Sequence, residues 1–497
     1  MIQKPPAAPA VRAEDDAADD DDYEDTPPYH DYSEGDDSHD NLINDYLDEN
    51  DNDDMASASS SSSAAANGKQ RITIIGTGWA GYTLATSLDT RKFAVTVISP
   101  SPALVYTPLL ASVATGKFAF YLAEEPIRGK KRGLRYVKAR VEGIDLGARR
   151  LRCRTAFDWC RQDDAFDESF DTLVVCPGCA PNLFGVPGVR EHAQFVRTVD
   201  DARMLRRRLF EQLEKAACAP GVTTDAQRRD KLRVVIVGGG PTGVELCAEL
   251  WDLARSDLAR LYPGVADKLS FAIHDVAPHI LSAYDRKLHE YARERLAERE
   301  NVEVRTNSHI ERVEQDAIYT KEDGRLPCGL LVWATGNQSV PLVERLEGAR
   351  KSGGDGGLVR LLTDSRLRVY KPRRGEEGEG AGGEDEVWEG VYGLGDACDI
   401  EGAPLPTTAE VAVQKARYLA CVLNSGSETP YKFRPKGLVT YIGNHDGIIQ
   451  DREWTGKLAW LSWRQGSLTW TRSFRTKSMI FLTWGVNRLF GTELARL

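Results

Sequence analysis

The sequence predicts an α/β fold built on parallel strands, and three observations point to it. Two apolar, β-branched runs, at residues 71–75 and 232–237, each pass directly into a glycine-rich turn. Each turn opens a stretch with helical character, and each of those leads to a second apolar run, at residues 93–98 and 269–273. A strand, tight turn, helix and further strand make up the unit from which parallel sheets are assembled, because parallel neighbours need a crossover between them. The length of 497 residues accommodates about three domains of ordinary size.

Taken in order, the chain begins with a segment unlike the rest. Residues 1–55 hold 20 acidic and 2 basic residues, and residues 55–67 are mostly Ser and Ala. Such a segment buries too little apolar surface to offset its ordering entropy, so residues 1–68 are expected to be a disordered tail. The aspartates at 51–54 do not make a calcium loop, since the glycine at position six and the glutamate at position twelve are missing. The tail sets the formal charge of −11; the remaining chain carries 62 basic and 55 acidic residues and is mildly basic. Nine cysteines, an odd number without regular spacing, fit a reducing compartment better than a disulfide scaffold. No apolar run reaches 18 residues, and the first 30 residues have neither the apolar core of a secretory signal nor the arginines of a mitochondrial presequence.

The first turn carries Gly76, Gly78 and Gly81, the second Gly238, Gly240 and Gly243, in the G-x-G-x-x-G spacing. In this pattern the first glycine permits the tight turn, the second lets backbone approach a pyrophosphate, and the third allows close helix–strand packing. The phosphates then face unpaired N–H groups at the positive end of the helix. Two such turns, whose first glycines are 162 residues apart, predict a protein of two Rossmann-like dinucleotide-binding domains. An acidic residue closing the second strand suits ribose hydroxyls and repels a 2′-phosphate. Asp275 holds that position in the second unit and argues for NADH; Ser99 holds it in the first. Later signals are the strand and turn at 331–336, ending in Thr335 and Gly336, and the similar segment at 172–178. The pair Gly395 and Asp396 follows a short strand at 387–391. Residues 373–386, rich in Gly and Glu, read as a surface insertion.

The order of these elements resembles the two-dinucleotide-domain flavoproteins that include glutathione reductase. Within them, residues 98–100 followed by 106–110, and the stretch 405–414, are similar to the type II (alternative, non-pumping) NADH:quinone oxidoreductases, the fungal ones especially. The resemblance spans about residues 71–497. It implies an FAD domain at 69–200 and 346–428, split by an NADH domain at 201–345, with a C-terminal membrane-associating or dimerising region at 429–497. It also implies Ser99 and Pro108 beside the FAD, Asp396 near its ribityl or phosphate groups, and Glu245 near the nicotinamide ribose. Gln414 would contact quinone, with Glu410 standing where relatives carry a first glutamine. A membrane quinone as partner, a homodimer, and a peripheral place on the mitochondrial inner membrane follow from the same resemblance, with a cytoplasmic-side membrane as the alternative. Cys176 and Cys179 have C-x-x-C spacing, but they sit at the exit turn and not where disulfide reductases of this kind place their redox pair. His274 and His279 lack a supporting ligand cluster, so no metal is expected.

Five of the ten tryptophans, at 454, 460, 463, 470 and 484, fall in the C-terminal region, where residues 457–497 hold seven Lys/Arg and one Glu. Aromatic rings with cationic side chains suit a bilayer interface. A helix over residues 477–490 puts Met479, Leu482, Val486, Leu489 and Phe490 on one face roughly 100° wide. The modest basic balance and the lack of a recognised module argue against nucleic acid. Two other classes stay open: an NADH-binding signalling flavoprotein of the apoptosis-inducing-factor kind, and an FAD/NADH oxidoreductase with a different acceptor.

Overall fold

The structure, a computed structural model, describes residues 68–157, 164–219, 221–222, 224–353, 357–373, 385–427, 429–450, 454–471, 473–492 and 494. The acidic tail up to residue 67, the aspartates at 51–54 within it, and most of the 373–386 insertion lie outside the described residues.

Strand Gln70–Ile75 lies at the centre of the larger sheet, between Phe93–Ser99 on one side and Thr172–Val175 on the other, all three parallel. Leu134–Asp145 extends the parallel order past Phe93–Ser99, and Val387–Gly393 extends it past Thr172–Val175. Ile72, Ile74, Val95, Val97, Leu173 and Val174 are all buried. Strands covered on both faces need unbroken apolar runs rather than alternation, which is why these segments read as they do. Helix Trp79–Ser87 packs on helix Ala409–Ser425 over one face of this sheet.

A second, four-stranded parallel sheet runs in the order Val302–Arg305, Ser270–His274, Arg233–Val237, Leu330–Trp333. All four of its strands fall in sequence between Thr172–Val175 and Leu361–Thr363, two members of the first sheet. The chain therefore leaves the first sheet, builds the second, and returns. The outgoing and returning segments meet as a short antiparallel pair, Ala180–Pro181 with Asn337–Gln338.

The C-terminal region is an antiparallel sheet of Val439–Gly443, Asp446–Ile449 and Trp454–Gly456, followed by helices Lys457–Trp470 and Phe474–Phe490. Its first strand packs against helix Pro241–Leu253 of the second unit, where the Tyr441 hydroxyl donates to Asp252 at 2.5 Å, and against the segment before helix Arg286–Ala297, where Tyr284 and Thr440 share a hydroxyl bond of 2.6 Å. The last helix docks on residues 117–123 of the first unit. Ile480 is buried, Trp484 meets Phe118 edge-on at 6.0 Å, and the Asn487 side chain donates to the Lys117 carbonyl at 2.7 Å.

This docking departs from the expected apolar stripe at Met479. Met479 packs on the main core beside Ile480 and Trp484, whereas Leu482, Val486, Leu489 and Phe490 are exposed, joined by Phe474 and Phe481. A docked helix can bury only the side facing its neighbour, and here that side carries Met479. Ile480→Ala is expected to cost about 2–5 kcal/mol by the cavity it leaves. Leu489→Ala should stay within about 0.5 kcal/mol. Thermal melting of both variants checks this; equal shifts would mean the helix is docked by another face.

Candidate functional site

The two glycine turns share one physical design. Gly76 has φ +108°, its N–H donates to Ile98 O at 2.9 Å, and a Cβ there would lie 2.5 Å from Cys176 O. A Cβ on Gly81 would lie 2.0 Å from Gly76 O. In the second turn Gly238 has φ +115° with a Cβ 2.6 Å from Ala334 O, and a Cβ on Gly243 would lie 1.9 Å from Gly238 O. The first and third glycines are thus demanded by the protein's own packing. The middle ones are not: a Cβ on Gly78 or Gly240 would meet nothing within 4 Å. What they leave is backbone accessible to something outside the chain. Neither following helix has a side-chain cap or an acidic residue in its first turn, so its N–H groups and dipole face that opening. This is the arrangement a dinucleotide diphosphate requires.

The first turn opens into a cleft of about 860 Å³. Its walls come from the ends of parallel strands: Gly76 to Ala80, Ile98 to Ser101, Cys176 to Cys179, and the Gly395–Asp396 turn. Ser99 is buried, its hydroxyl 3.0 Å from that of Thr77, and its carbonyl accepts from Tyr136 at 2.9 Å. A serine there closes the loop without introducing a charge. Pro108 is the middle residue of the turn Thr107–Leu109; Thr107 rather than Pro108 lines the cleft, accepting from the Trp79 ring nitrogen at 3.3 Å. Asp396 faces the cleft and accepts from the Cys179 thiol at 3.2 Å. Arg197 donates to that sulfur at 3.0 Å and to Asn337 at 2.7 Å, linking the exit turns of both units.

Cys179 and Arg197 were not among the residues the sequence singled out for the site. For Cys179 the local signal was the C-x-x-C spacing with Cys176 at the exit turn, set aside there as not a redox pair; Arg197 had none. Burial, then Asp396, pushes the Cys179 thiol up to about 11, and burial raises Cys176 further. Both are free thiols, held protonated, which is the wrong state for a redox nucleophile.

In the second unit both oxygens of Asp275 clasp backbone, accepting from Gly239 N–H at 2.5 Å and Ala277 N–H at 2.8 Å. The carboxylate therefore stands beside the second glycine turn, as its place at the strand end predicts. Gly336 has φ +69°, and a Cβ there would lie 2.5 Å from the Phe184 ring, so Thr335 and Gly336 form a turn only glycine can complete.

Three of the expected site residues are engaged by the protein's own contacts. Glu245 turns toward the C-terminal sheet, where it accepts from Tyr441 N–H at 3.2 Å. Burial, reinforced by Glu249 and opposed by the Tyr441 and Trp463 donors, pushes its carboxyl up to about 8. Glu410 and Gln414 bond to each other at 2.8 Å, and Gln414 also donates to Arg434 O at 2.7 Å. The same helix presents Thr408, Ala409 and Ala412 to the cleft. Residues four apart share a helix face, and this pair shares the flank beside the one that lines the cleft. At the mouth, Trp79 meets Tyr106 at 5.6 Å and Trp470, the last residue of helix Lys457–Trp470, edge-on at 5.8 Å. The C-terminal helices thus reach the first glycine turn.

Residues 70–416 match the model of the pyridine nucleotide-disulphide oxidoreductase family. The chain is 32% identical to a probable NADH dehydrogenase of Dictyostelium discoideum, over 86% of this chain and 91% of that one. It is 29% identical to the mitochondrial external alternative NADH-ubiquinone oxidoreductase of Yarrowia lipolytica, over 86% and 81%. It is 30% identical to a mitochondrial internal alternative NAD(P)H-ubiquinone oxidoreductase of Solanum tuberosum, over 86% and 88%. Its fold is similar to that of NDH2 from Plasmodium falciparum, solved with NADH, at a TM-score of 0.76 and 21% identity over 86% of this chain and all of that one. The chain belongs to the pyridine nucleotide-disulphide oxidoreductases and, within them, to the alternative, type II NADH:quinone oxidoreductases.

The Glu245 carboxyl sets a pH dependence. Its folded value, about 8, lies above the unfolded value of 4.5, so its contribution to stability is full below pH 4.5 and is lost as pH rises toward 8. Glu245→Gln should flatten the decline in melting temperature between pH 5 and 8. An unchanged slope would mean that this carboxyl ionises normally.

Proposed function

We propose that the chain is an FAD-dependent NADH dehydrogenase that delivers two electrons to a membrane quinone without pumping protons. The observation that carries this reading is the pair of glycine turns, each with its middle glycine open at an uncapped helix start, joined through paired exit segments. The relatives' names, NADH-ubiquinone oxidoreductases among them, support the donor and the acceptor.

FAD would lie along the first cleft, its diphosphate at Gly76, Gly78 and Gly81 and its polar chain beside Gly395 and Asp396. The cradle fits, since a Cβ at Gly78 would fill space that the protein leaves open. The chemistry FAD supplies when bound is acceptance of a hydride equivalent and release of two electrons. NADH docks on the second turn, its diphosphate at Gly238, Gly240 and Gly243 and its adenosine ribose beside Asp275. Thr335 and Gly336 shape the passage between the units. The protein's own work is orientation and exclusion of water. Glu245, carrying a proton at neutral pH, removes a negative charge from the buried end of helix Pro241–Leu253 and keeps that helix docked on Tyr441.

Quinone reaches the cleft from the side of the C-terminal helices, because Trp470 abuts Trp79 there and Phe474, Phe481, Leu489 and Phe490 present apolar surface nearby in the chain. Glu410 and Gln414 act from the flank, holding the segment at Arg434 against the helix that lines the cleft. The chain only touches the membrane in this reading, so no proton crosses it with the electrons. Relatives named as mitochondrial support a mitochondrial place; within it the inner membrane is the proposed site, and a homodimer is the expected assembly.

Purified protein loaded with FAD is expected to be yellow, to bleach with NADH, and to reduce a soluble ubiquinone analogue at roughly ten per second or faster. A product that takes up no FAD at micromolar levels would sink the reading; a long-lived reduced flavin that quinone does not discharge would favour the signalling flavoprotein. Asp275→Asn keeps an acceptor for Gly239 while removing the charge. It should raise kcat/KM for NADPH about tenfold, some 1.4 kcal/mol, with kcat for NADH within about twofold. Unaltered coenzyme preference would displace Asp275 from the ribose site.

A further inference from the structure

A second groove, of about 550 Å³, lies between helix Arg286–Ala297, the far end of helix Pro241–Leu253, and the turn at Asn444 and His445. The proposed electron path does not use it. Arg299 is set into its wall. One guanidinium nitrogen donates to Ile442 O, the group stacks over Trp251 at 4.7 Å, and Nη1 is buried without a hydrogen-bond partner. Gly443, at φ +89°, packs so closely that a Cβ there would be 2.5 Å from that nitrogen.

The neighbouring charges do not satisfy it. Arg255 pairs with Glu300 at 2.9 Å, and Arg295 pairs with Glu298 at 2.9 Å and lies 3.6 Å from Asp446. Asp252 faces Arg299 from the helix behind, but already accepts from Tyr441 and from Asn444 N–H. Lys457, exposed at the start of helix Lys457–Trp470, also lines the groove. Arg255, Arg295, Arg299 and Lys457 thus stand against Glu298, Glu300 and Asp446, an excess of one positive charge before His445 is counted. The Arg299 guanidinium in the wall and the exposed Lys457 ammonium at the rim give the groove the positive charge and donors that suit a phosphate group. Directly after Lys457, Leu458 is 66% exposed and Leu461 46%, on the helix that begins at the groove.

We propose that this groove holds the phosphate of an anionic lipid headgroup, with Arg299 in the wall and Arg255 and Lys457 at the rim as its cationic partners and the acyl chains leading over Leu458 and Leu461. The choice of a lipid over a soluble phosphate rests on the reading of the chain as a membrane-bound enzyme; the phosphate chemistry itself does not.

The test uses the FAD-loaded full chain and isothermal titration with dihexanoyl phosphatidylglycerol below its micelle concentration, and separately with inorganic phosphate. Saturable lipid binding is expected, weakened at least tenfold in R255E/K457E but less than twofold in R475E/K477E, which makes the same charge change on the last helix. Flotation should agree: R255E/K457E loses its preference for vesicles of phosphatidylcholine with one-fifth phosphatidylglycerol over pure phosphatidylcholine, yet still binds the latter. Equal losses in the two double variants, or no saturation, overturn the site. Inorganic phosphate binding as tightly as the lipid overturns the lipid as occupant. Turnover of NADH with the soluble quinone analogue should be unchanged in R255E/K457E, whereas failure of the enzyme reading would appear as no turnover in the wild type.

Discussion

The close approach of each glycine helix to the strand before it is the constraint on which the rest depends. Gly81 lies so near the Gly76 carbonyl, and Gly243 so near the Gly238 carbonyl, that no side chain fits between them. That contact presses the helix onto the sheet and aims its uncapped N-terminus at the turn. The positive end of the helix then converges with accessible backbone N–H groups, a combination that attracts a diphosphate with no cationic side chain. Sheets buried on both faces hold the geometry, since the strands that carry the turns have no freedom to shift.

Two such cradles are useful only if held in register, and polar contacts perform that task. Ala180–Pro181 pairs with Asn337–Gln338, and Arg197 spans the same junction from Cys179 to Asn337, whose amide reaches Thr407 at 3.1 Å. A second tie is deeper. Glu249 is buried on helix Pro241–Leu253, accepts from Ser112 at 2.8 Å and pairs with Lys117, both from the first unit, while Lys117 lies 3.5 Å from Asp252. The Asp252 carboxylate in turn accepts from Tyr441 of the C-terminal sheet. Buried ion pairs add little net stability because desolvation offsets their attraction, but breaking one leaves an uncompensated charge. Here the cluster joins three regions of the chain, and any other relative placement would strand a charge.

Much of this was legible in the sequence because its signals are local. The strands at Gln70–Ile75 and Arg233–Val237, their glycine turns and the helices after them lie within about twenty residues each, and neighbouring residues settle them. Asp275 was legible for the same reason: the end of a second parallel strand is always beside the turn that follows the first. The C-terminal helix was visible in outline, but the side that docks was not, since nothing in residues 474–490 says which neighbour awaits them.

What the sequence by itself determined, then, is the pair of glycine turns and the α/β order around them, because hydrogen-bond geometry and side-chain size act over one turn of chain. Only the tertiary structure decided where Glu245, Glu410 and Gln414 point, that Cys179 and Arg197 stand at the cleft, and that Met479 faces inward. Several of those outcomes depend on which surfaces meet across more than a hundred residues, as Glu245 meets Tyr441 and Arg197 meets Asn337. A helix offers several faces of similar polarity, and the partner that arrives selects one.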